Sequence, residues 1–387
     1  MGCQVCLEDG FYAAIILMAS LHGLLLATIL FFSKRLKSKA NAFLALVLLK
    51  MSIVLGFEFS YYFEYGAFLP LYLHYLPYYI TSIIPVGIYY FTLFLIQPDL
   101  ALNSFEKLGF VAICLEVVVD LMYLPLHLLI QDQPFVEMGE NYIDTICQII
   151  GLLSSLIFLP WALQRVSQYQ RFLYANYSTA NDKSLKWLRN FLGWLLGLVV
   201  LWFLSFIQQL LGFFDASEFT FEVLTLGLVM SLFWVGYFVI LQSNWFQAVP
   251  FTPEKGDKTS MPTKLSANTE RYHESLLALM EEEKLYKDID LTLNSLSERL
   301  QISSGYVSQI INEKEQKNFF EFVNTYRVEA VKSKLLDPAF NNYTIMGIAL
   351  ESGFKSKSTF NAVFKKFTGQ TPSGYKRSQL KTKVPTH

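Results

Sequence analysis

Charge is what this chain has least of. Only 16% of its 387 residues are Asp, Glu, Lys or Arg, against about 25% in ordinary soluble domains. A deficit of that size argues against a wholly water-facing molecule and points to a membrane. Cysteine is scarce as well, with four in the chain. Cys3 and Cys6 form a lone C-x-x-C, while Cys114 and Cys147 lie inside apolar runs, so neither a disulfide framework nor a paired metal-ligand pattern emerges. The sequence contains no H-E-x-x-H and no Gly-Lys-Ser/Thr phosphate loop, which leaves metalloprotease and nucleotide-hydrolysis chemistry without a motif. No enzyme activity, metal or cofactor is expected. Met1-Gly2-Cys3 opens like a myristoylation signal, but Cys6 stands where that signal needs Ser or Thr.

The charge that is present is unevenly spread. Residues 1–250 hold 11 Lys/Arg and 16 Asp/Glu, whereas residues 291–387 hold 14 and 7, an asymmetry hidden by the net charge of −1. Two domains in two solvents is the simplest reading. Residues 11–32 form an apolar run long enough to cross a hydrocarbon core of about 30 Å at about 1.5 Å per residue. Lys34, Arg35, Lys37 and Lys39 follow this run instead of preceding it. That order is the reverse of a secretory signal peptide and places the N-terminus outside. Further spans are expected at 40–62, 71–96, 108–129, 142–163, 191–211 and 219–241. Alternating sides puts Lys107, Arg165, Arg171, Lys183, Lys186 and Arg189 inside. Only acids (Glu8, Asp9, Glu64, Asp132, Glu137, Glu140, Asp215) then fall outside. Seven crossings thus satisfy the positive-inside rule and leave the C-terminus in the cytoplasm. The third span is interrupted by Pro70, Pro77 and Pro85; losing it would reverse every later crossing.

Ionisable side chains inside a bilayer are costly and mark functional sites. Glu116 and Asp120 are four apart on one helical face, with His127 seven further along the same stripe. In this topology Glu58, His74, Asp120, His127, Gln208, Gln209 and Glu222 share the outer half of the membrane. Together with Glu116 they form a candidate outward-facing pocket for an unidentified small ligand or membrane signal. The alternative is interfacial residues near helix ends, or interhelical hydrogen bonds that hold the bundle. Lys50, near mid-span, is the available partner for Glu116.

Residues 242–269 are rich in Pro, Lys, Ser and Thr and read as a flexible linker. Fully extended, such a segment reaches at most roughly 100 Å. A helix is expected over 270–286, with Leu276, Leu277, Leu279 and Met280 toward a core. A helix-turn-helix follows. Leu293, Leu296 and Leu300 give the inner face of its supporting helix, and Val307, Ile310 and Ile311 that of the second. This leaves Ser304, Gly305, Ser308, Gln309 and Asn312 to face a groove. Gln309 is the best base reader, since a side-chain amide can bond adenine bidentately. A helix over 318–336, near 28 Å long, can hold two recognition helices about one DNA turn apart.

The stretch 349–372 carries the second unit. Gly353 supplies a tight turn, Ser356 an N-cap, and Phe360, Phe364 and Phe367 an aromatic inner face. Lys357, Ser358, Asn361, Lys365 and Lys366 then look outward. The Gly-Phe, Ser-x-Phe, Phe-Lys and Gly-x-Thr-Pro spacings resemble the C-terminal signature of the AraC/XylS transcription factors. The resemblance covers about residues 291–376, roughly a quarter of the chain. Ser297 stands where that family usually has Ala, and Gln301 near a frequent turn Gly. The resemblance implies base contacts from Lys357, Ser358, Thr359 and Asn361, and phosphate contacts from Lys355, Lys365 and Lys366.

The expected fold is all-α: a seven-helix transmembrane bundle (1–241), a flexible linker (242–269), and a soluble domain of two helix-turn-helix units joined by a connecting helix (270–387). The expected function is transcription regulation from the bacterial inner membrane, with double-stranded DNA and the lipid bilayer as partners and a homodimer as the working form. A transporter with a regulatory tail and a passively anchored regulator are the rivals.

Overall fold

The computed structural model describes residues 2–33, 36–62, 80–129, 133–180, 184–241 and 268–382. Among them the regular elements are helical, and the backbone also pairs antiparallel between Tyr177 and Thr292. The all-α expectation holds. The chain divides into two compact units. One takes in Met1–Ser167 and Lys186–Phe251; the other combines Gln168–Leu185 with Thr252–His387.

The first unit is built from α1 (Gly2–Phe32), α2 (Lys39–Tyr62), α3 (Ile83–Ile96), α4 (Leu108–Leu129), most of α5 (Gln133–Asn176), α6 (Lys186–Leu210) and α7 (Phe214–Leu241). Helix α1 packs on α2 and α7, α2 on α3, and α6 on α7. Among the described residues five helices are long and apolar enough to cross a bilayer; two apolar stretches, Ile83–Ile96 and Leu108–Val119, are shorter. Residues 71–79 of the expected third span lie outside the described residues. Its helix begins at Ile83, so Pro85 sits in the first turn, where a missing N–H is tolerated. Only 22–44% of each long span is buried, and Leu153, Val200, Phe203 and Met230 point outward. In water that surface would aggregate; against lipid tails it carries no penalty. Several polar groups inside are paired. Ser20 donates to the Ser52 carbonyl (2.8 Å) and the Trp194 indole donates to Ser231 Oγ (3.0 Å).

The second unit holds α8 (Thr269–Glu281), α9 (Leu293–Leu300), α10 (Ser304–Glu315), α11 (Phe319–Leu336), α12 (Ile345–Glu351), α13 (Lys357–Thr368) and α14 (Pro372–Thr382). Leu276 and Met280 meet Leu293, Leu296, Val307, Ile310, Ile311, Phe319 and Phe322 in one core. Full burial of each such side chain is worth about 1.5–3 kcal/mol. The spacings in the sequence predict these contacts, because each set lies at i, i+3 or i+4. One boundary and one buried face differ from expectation. Helix α8 stops at Glu281, and Lys284 takes a left-handed φ of 52° before a short 3₁₀ turn over Leu285–Lys287. The acids Glu281, Glu282 and Glu283 at that end oppose the helix dipole and favour the stop. In α13 the inner face is Phe360, Val363 and Phe364, while Phe367 in the last turn is only half-buried.

Candidate nucleic-acid interface and membrane cavity

Both recognition helices begin with a side-chain cap. Ser303 Oγ accepts from the Tyr306 N–H (3.3 Å) and Ser356 Oγ from the Thr359 N–H (3.2 Å); such caps contribute about 1 kcal/mol each. The supporting helices are capped by Thr292 and Thr344. Between α9 and α10 the turn passes through Gln301 at φ 55°, and between α12 and α13 through Gly353 at φ 91°. The 18 residues of α11 separate the two units by about 27 Å of helix.

On α10, Asn312 is exposed and Ser304, Ser308 and Gln309 are half-buried. Gln309 Nε2 donates to Glu313 Oε1 (2.8 Å), and Asn312 Nδ2 lies 3.4 Å from Ser308 Oγ. Any other acceptor for the Gln309 amide therefore competes with Glu313. Helix α8 braces the far end of α10: His273 meets Glu315 at 2.9 Å, and Lys314 bonds Glu270. The bond from Lys314 holds the Glu270 carboxyl below its ordinary pKa.

On the second unit, Lys355, Lys357, Ser358, Asn361, Lys365 and Lys366 are all exposed. Lys355 reaches Asp290 (3.3 Å) and Lys366 reaches Glu321 (2.9 Å). Exposed pairs of this kind contribute about 0–1 kcal/mol, so either lysine exchanges its carboxylate for phosphate at little cost. Thr359 departs from expectation. It is 2% exposed, and its Oγ1 accepts from Ser356 Oγ at 2.9 Å. At the third position of the helix its hydroxyl turns back onto the cap, so it sets the start of α13 instead of facing a base.

A family profile described as "Helix-turn-helix domain" matches residues 296–378. This is an AraC-type helix-turn-helix domain. An uncharacterized HTH-type transcriptional regulator of Staphylococcus aureus (strain COL) is 40% identical over 87 residues, which is 22% of this chain and 11% of that protein. The melibiose operon regulatory protein of Escherichia coli (strain K12) is 28% identical over 123 residues, 31% of this chain and 39% of that protein. A solved structure, the C-terminal domain of AraT, a response regulator from Geobacillus stearothermophilus, is 26% identical. It covers 32% of this chain and 96% of its own, with a TM-score of 0.26. The first of these relatives is thus matched over only about a tenth of its length.

Apart from the AraC-type domain, the first unit holds a half-open cavity of about 210 Å³. Its polar lining includes Lys50, Thr81, Asp144, Gln148 and Gln209, and its walls include Trp202 and Phe221. Gln148 Nε2 donates to Asp144 Oδ2 (2.6 Å) and approaches Gln209 Oε1 (3.4 Å). Glu116 stands directly behind Thr81 and is fully buried. It accepts from Thr81 Oγ1 (2.8 Å), from the Ser82 N–H (3.0 Å) and from the Ser82 hydroxyl. A carboxylate there satisfies donors at the N-terminus of α3 and complements the helix dipole. The Lys50 ammonium adds electrostatic attraction.

The residues expected at a shared pocket do not all converge. Gln209 lines the cavity and Glu116 supports it. Gln208 instead accepts from Thr220 (2.9 Å), and the Glu222 carbonyl accepts from Tyr12 (3.4 Å). Glu58 is half-buried on α2, away from the cavity lining. His74 and the side chains of Asp120 and His127 lie outside the described residues. A shared depth in the sequence does not fix which way each helix turns its side chains, and that is why the set disperses. Asp144 and Gln148 were overlooked, although an acid and an amide four apart inside an apolar run are a readable signal.

Proposed function

We propose that this protein is a membrane-anchored, sequence-specific DNA-binding transcription regulator of a bacterial inner membrane. Its divisions are a seven-span domain over 1–241, a linker over 242–269 and a DNA-binding domain over 270–387. The single observation that carries the reading is the pair of capped recognition helices on one 18-residue connecting helix, the second bearing an exposed Lys, Ser and Asn face. Lys357, Ser358 and Asn361 meet bases on the second half-site, and Ser304, Ser308, Gln309 and Asn312 on the first. Lys355, Lys365 and Lys366 meet phosphate. Most of the linker, 242–267, lies outside the described residues.

Contacts within the first unit support alternating crossings, and the placement of Lys and Arg in the sequence supports an N-terminus outside. Arg165 pairs with Glu106 at 2.8 Å, and Lys39 lies over the Phe94 ring at 5.6 Å; each pair joins ends expected to be cytoplasmic. Tyr12 with Glu222, and Gln148 with Gln209, join ends expected outside. The cavity supports a sensing role for the bundle: a small molecule with an apolar body and a hydrogen-bonding end fits its lining. Such a ligand acts only by preferring one conformation of the bundle. The working form is a dimer, because two tethered domains raise each other's effective concentration at paired sites.

Genome-wide mapping of the full chain's DNA occupancy in its own bacterium tests the proposal. Enrichment at discrete promoters is expected. A profile indistinguishable from an untagged control overturns it, as does a reporter fused behind His387 that is active only in the periplasm.

A further inference from the structure

The second unit contains a stretch that the DNA-binding reading does not use. Gln168–Leu185, the last turns of α5 and its connection in sequence to α6, belongs to the same compact unit as the AraC-type domain. Its centre is Ser178, 1% exposed. The Ser178 N–H and hydroxyl both donate to the Leu291 carbonyl (3.3 and 2.8 Å). The neighbouring Tyr177 pairs backbone to backbone with Thr292, the residue that caps α9. Asn324 Nδ2 on α11 donates to the Ser178 carbonyl (3.1 Å), and Tyr174 packs edge-on against Phe320 (5.0 Å).

Arg327 ties these parts together. It is 1% exposed on α11. Its Nε donates to the Tyr286 carbonyl (2.7 Å), and one terminal nitrogen donates both to the Asp288 carbonyl (2.7 Å) and to Ser178 Oγ (3.1 Å). Burial lowers its pKa to about 10, so it remains a cation at neutral pH. The turn of the second helix-turn-helix reaches the same place: a Cβ on Gly353 would lie 2.4 Å from the Tyr286 carbonyl and 3.0 Å from Arg327 Nε. The segment 286–292 is thus the joint at which the first helix-turn-helix, the connecting helix and the turn of the second meet. The loop between two membrane helices closes that joint.

We propose that residues 174–180, the end of α5 and the turn after it, form a latch, through which the membrane bundle sets the relative disposition of the two recognition helices. When seated on Leu291, Asn324 and Arg327 it fixes the first helix-turn-helix against α11. The latched form is the one that binds DNA, because two recognition helices held in register lose less freedom on entering successive grooves. A shift of α5 or α6 in the bundle pulls the loop and frees the joint. The interaction rests on the DNA-binding reading above and adds its route of control.

The test uses the full chain in lipid nanodiscs and a duplex selected in vitro against the unaltered chain at low ionic strength. Ser178→Ala removes the hydroxyl that bridges Leu291 and Arg327 and leaves every residue of the recognition helices in place. A loss of about fivefold in affinity is expected, with the melting of the DNA-binding domain shifted little. A second variant, Tyr177→Cys with Thr292→Cys, ties the loop to the α9 cap by a disulfide at a backbone-paired position. When oxidised, it should bind more tightly than the same variant when reduced and should become insensitive to Glu116→Gln, which otherwise weakens binding by disturbing the bundle. Equal affinity of the unaltered and Ser178→Ala chains overturns the latch alone, as does a locked chain that still responds to Glu116→Gln. A selection that yields no duplex overturns the DNA-binding reading and the latch with it.

Discussion

Replacing Gly353 by Ala separates two costs that are usually confounded. The residue has φ 91°, and an added Cβ would stand 2.4 Å from the Tyr286 carbonyl oxygen and 2.9 Å from Lys287 Cα. A left-handed φ alone costs an L-residue about 1–2 kcal/mol. The collision is with backbone, which cannot rotate away, so the segment 286–287 must move off the Arg327 guanidinium that binds it. Strain of this kind adds about 1–3 kcal/mol, for a total of about 2–5 kcal/mol. Gly369 provides the control. It also has a left-handed φ, 74°, but nothing lies within 4 Å of a Cβ built there. Gly369→Ala should therefore cost only the first part, about 1–2 kcal/mol. Scanning calorimetry of the full chain in nanodiscs reads both. At about 4 °C per kcal/mol for a domain near 100 residues, Gly353→Ala should lower the transition of the DNA-binding domain by about 10–20 °C and Gly369→Ala by about half of that or less. Equal shifts for the two variants would refute the close approach between Gly353 and the 286–287 turn.

Gln301 occupies a left-handed turn at φ 55°, so Gln301→Gly should raise the same transition by the equivalent of about 0.5 kcal/mol, the relief of strain less the entropy of glycine; a lower transition contradicts this. Lys365→Ala should weaken binding to every duplex and flatten the salt dependence of log K by about one unit, and an unchanged slope removes Lys365 from the contacts. Gln309→Ala should relax preference at one base position in a selection, at a cost of about 1–3 kcal/mol for the preferred base; a uniform loss across sequences argues against base reading. Glu116→Ala strands the Ser82 N–H and hydroxyl, while Thr81 keeps the Cys147 carbonyl, and should destabilise the bundle by about 1–3 kcal/mol, read as loss of folded protein on heating in detergent; no change would remove Glu116 as the cap of α3.

The sequence by itself determined the elements and their chemistry. Apolar runs of more than 20 residues have only one stable form in lipid, because each must satisfy its own backbone hydrogen bonds. Val307, Ile310 and Ile311, or Phe360 and Phe364, declare a buried face through helical spacing alone. Local periodicity carries no azimuth between distant helices. For that reason Glu58, Gln208 and Glu222 shared a depth in the sequence but not a cavity, while Asp144 and Gln148 came to line one with Lys50. It also carries no register for a hydroxyl at a helix start, which is why Thr359 turned inward to its cap. Only the tertiary structure decided that a loop near residue 178 belongs with helices more than 100 residues later. Ser178 and Asn324 bond to carbonyls that every residue possesses, those of Leu291 and Ser178, and such groups leave no trace in composition or spacing.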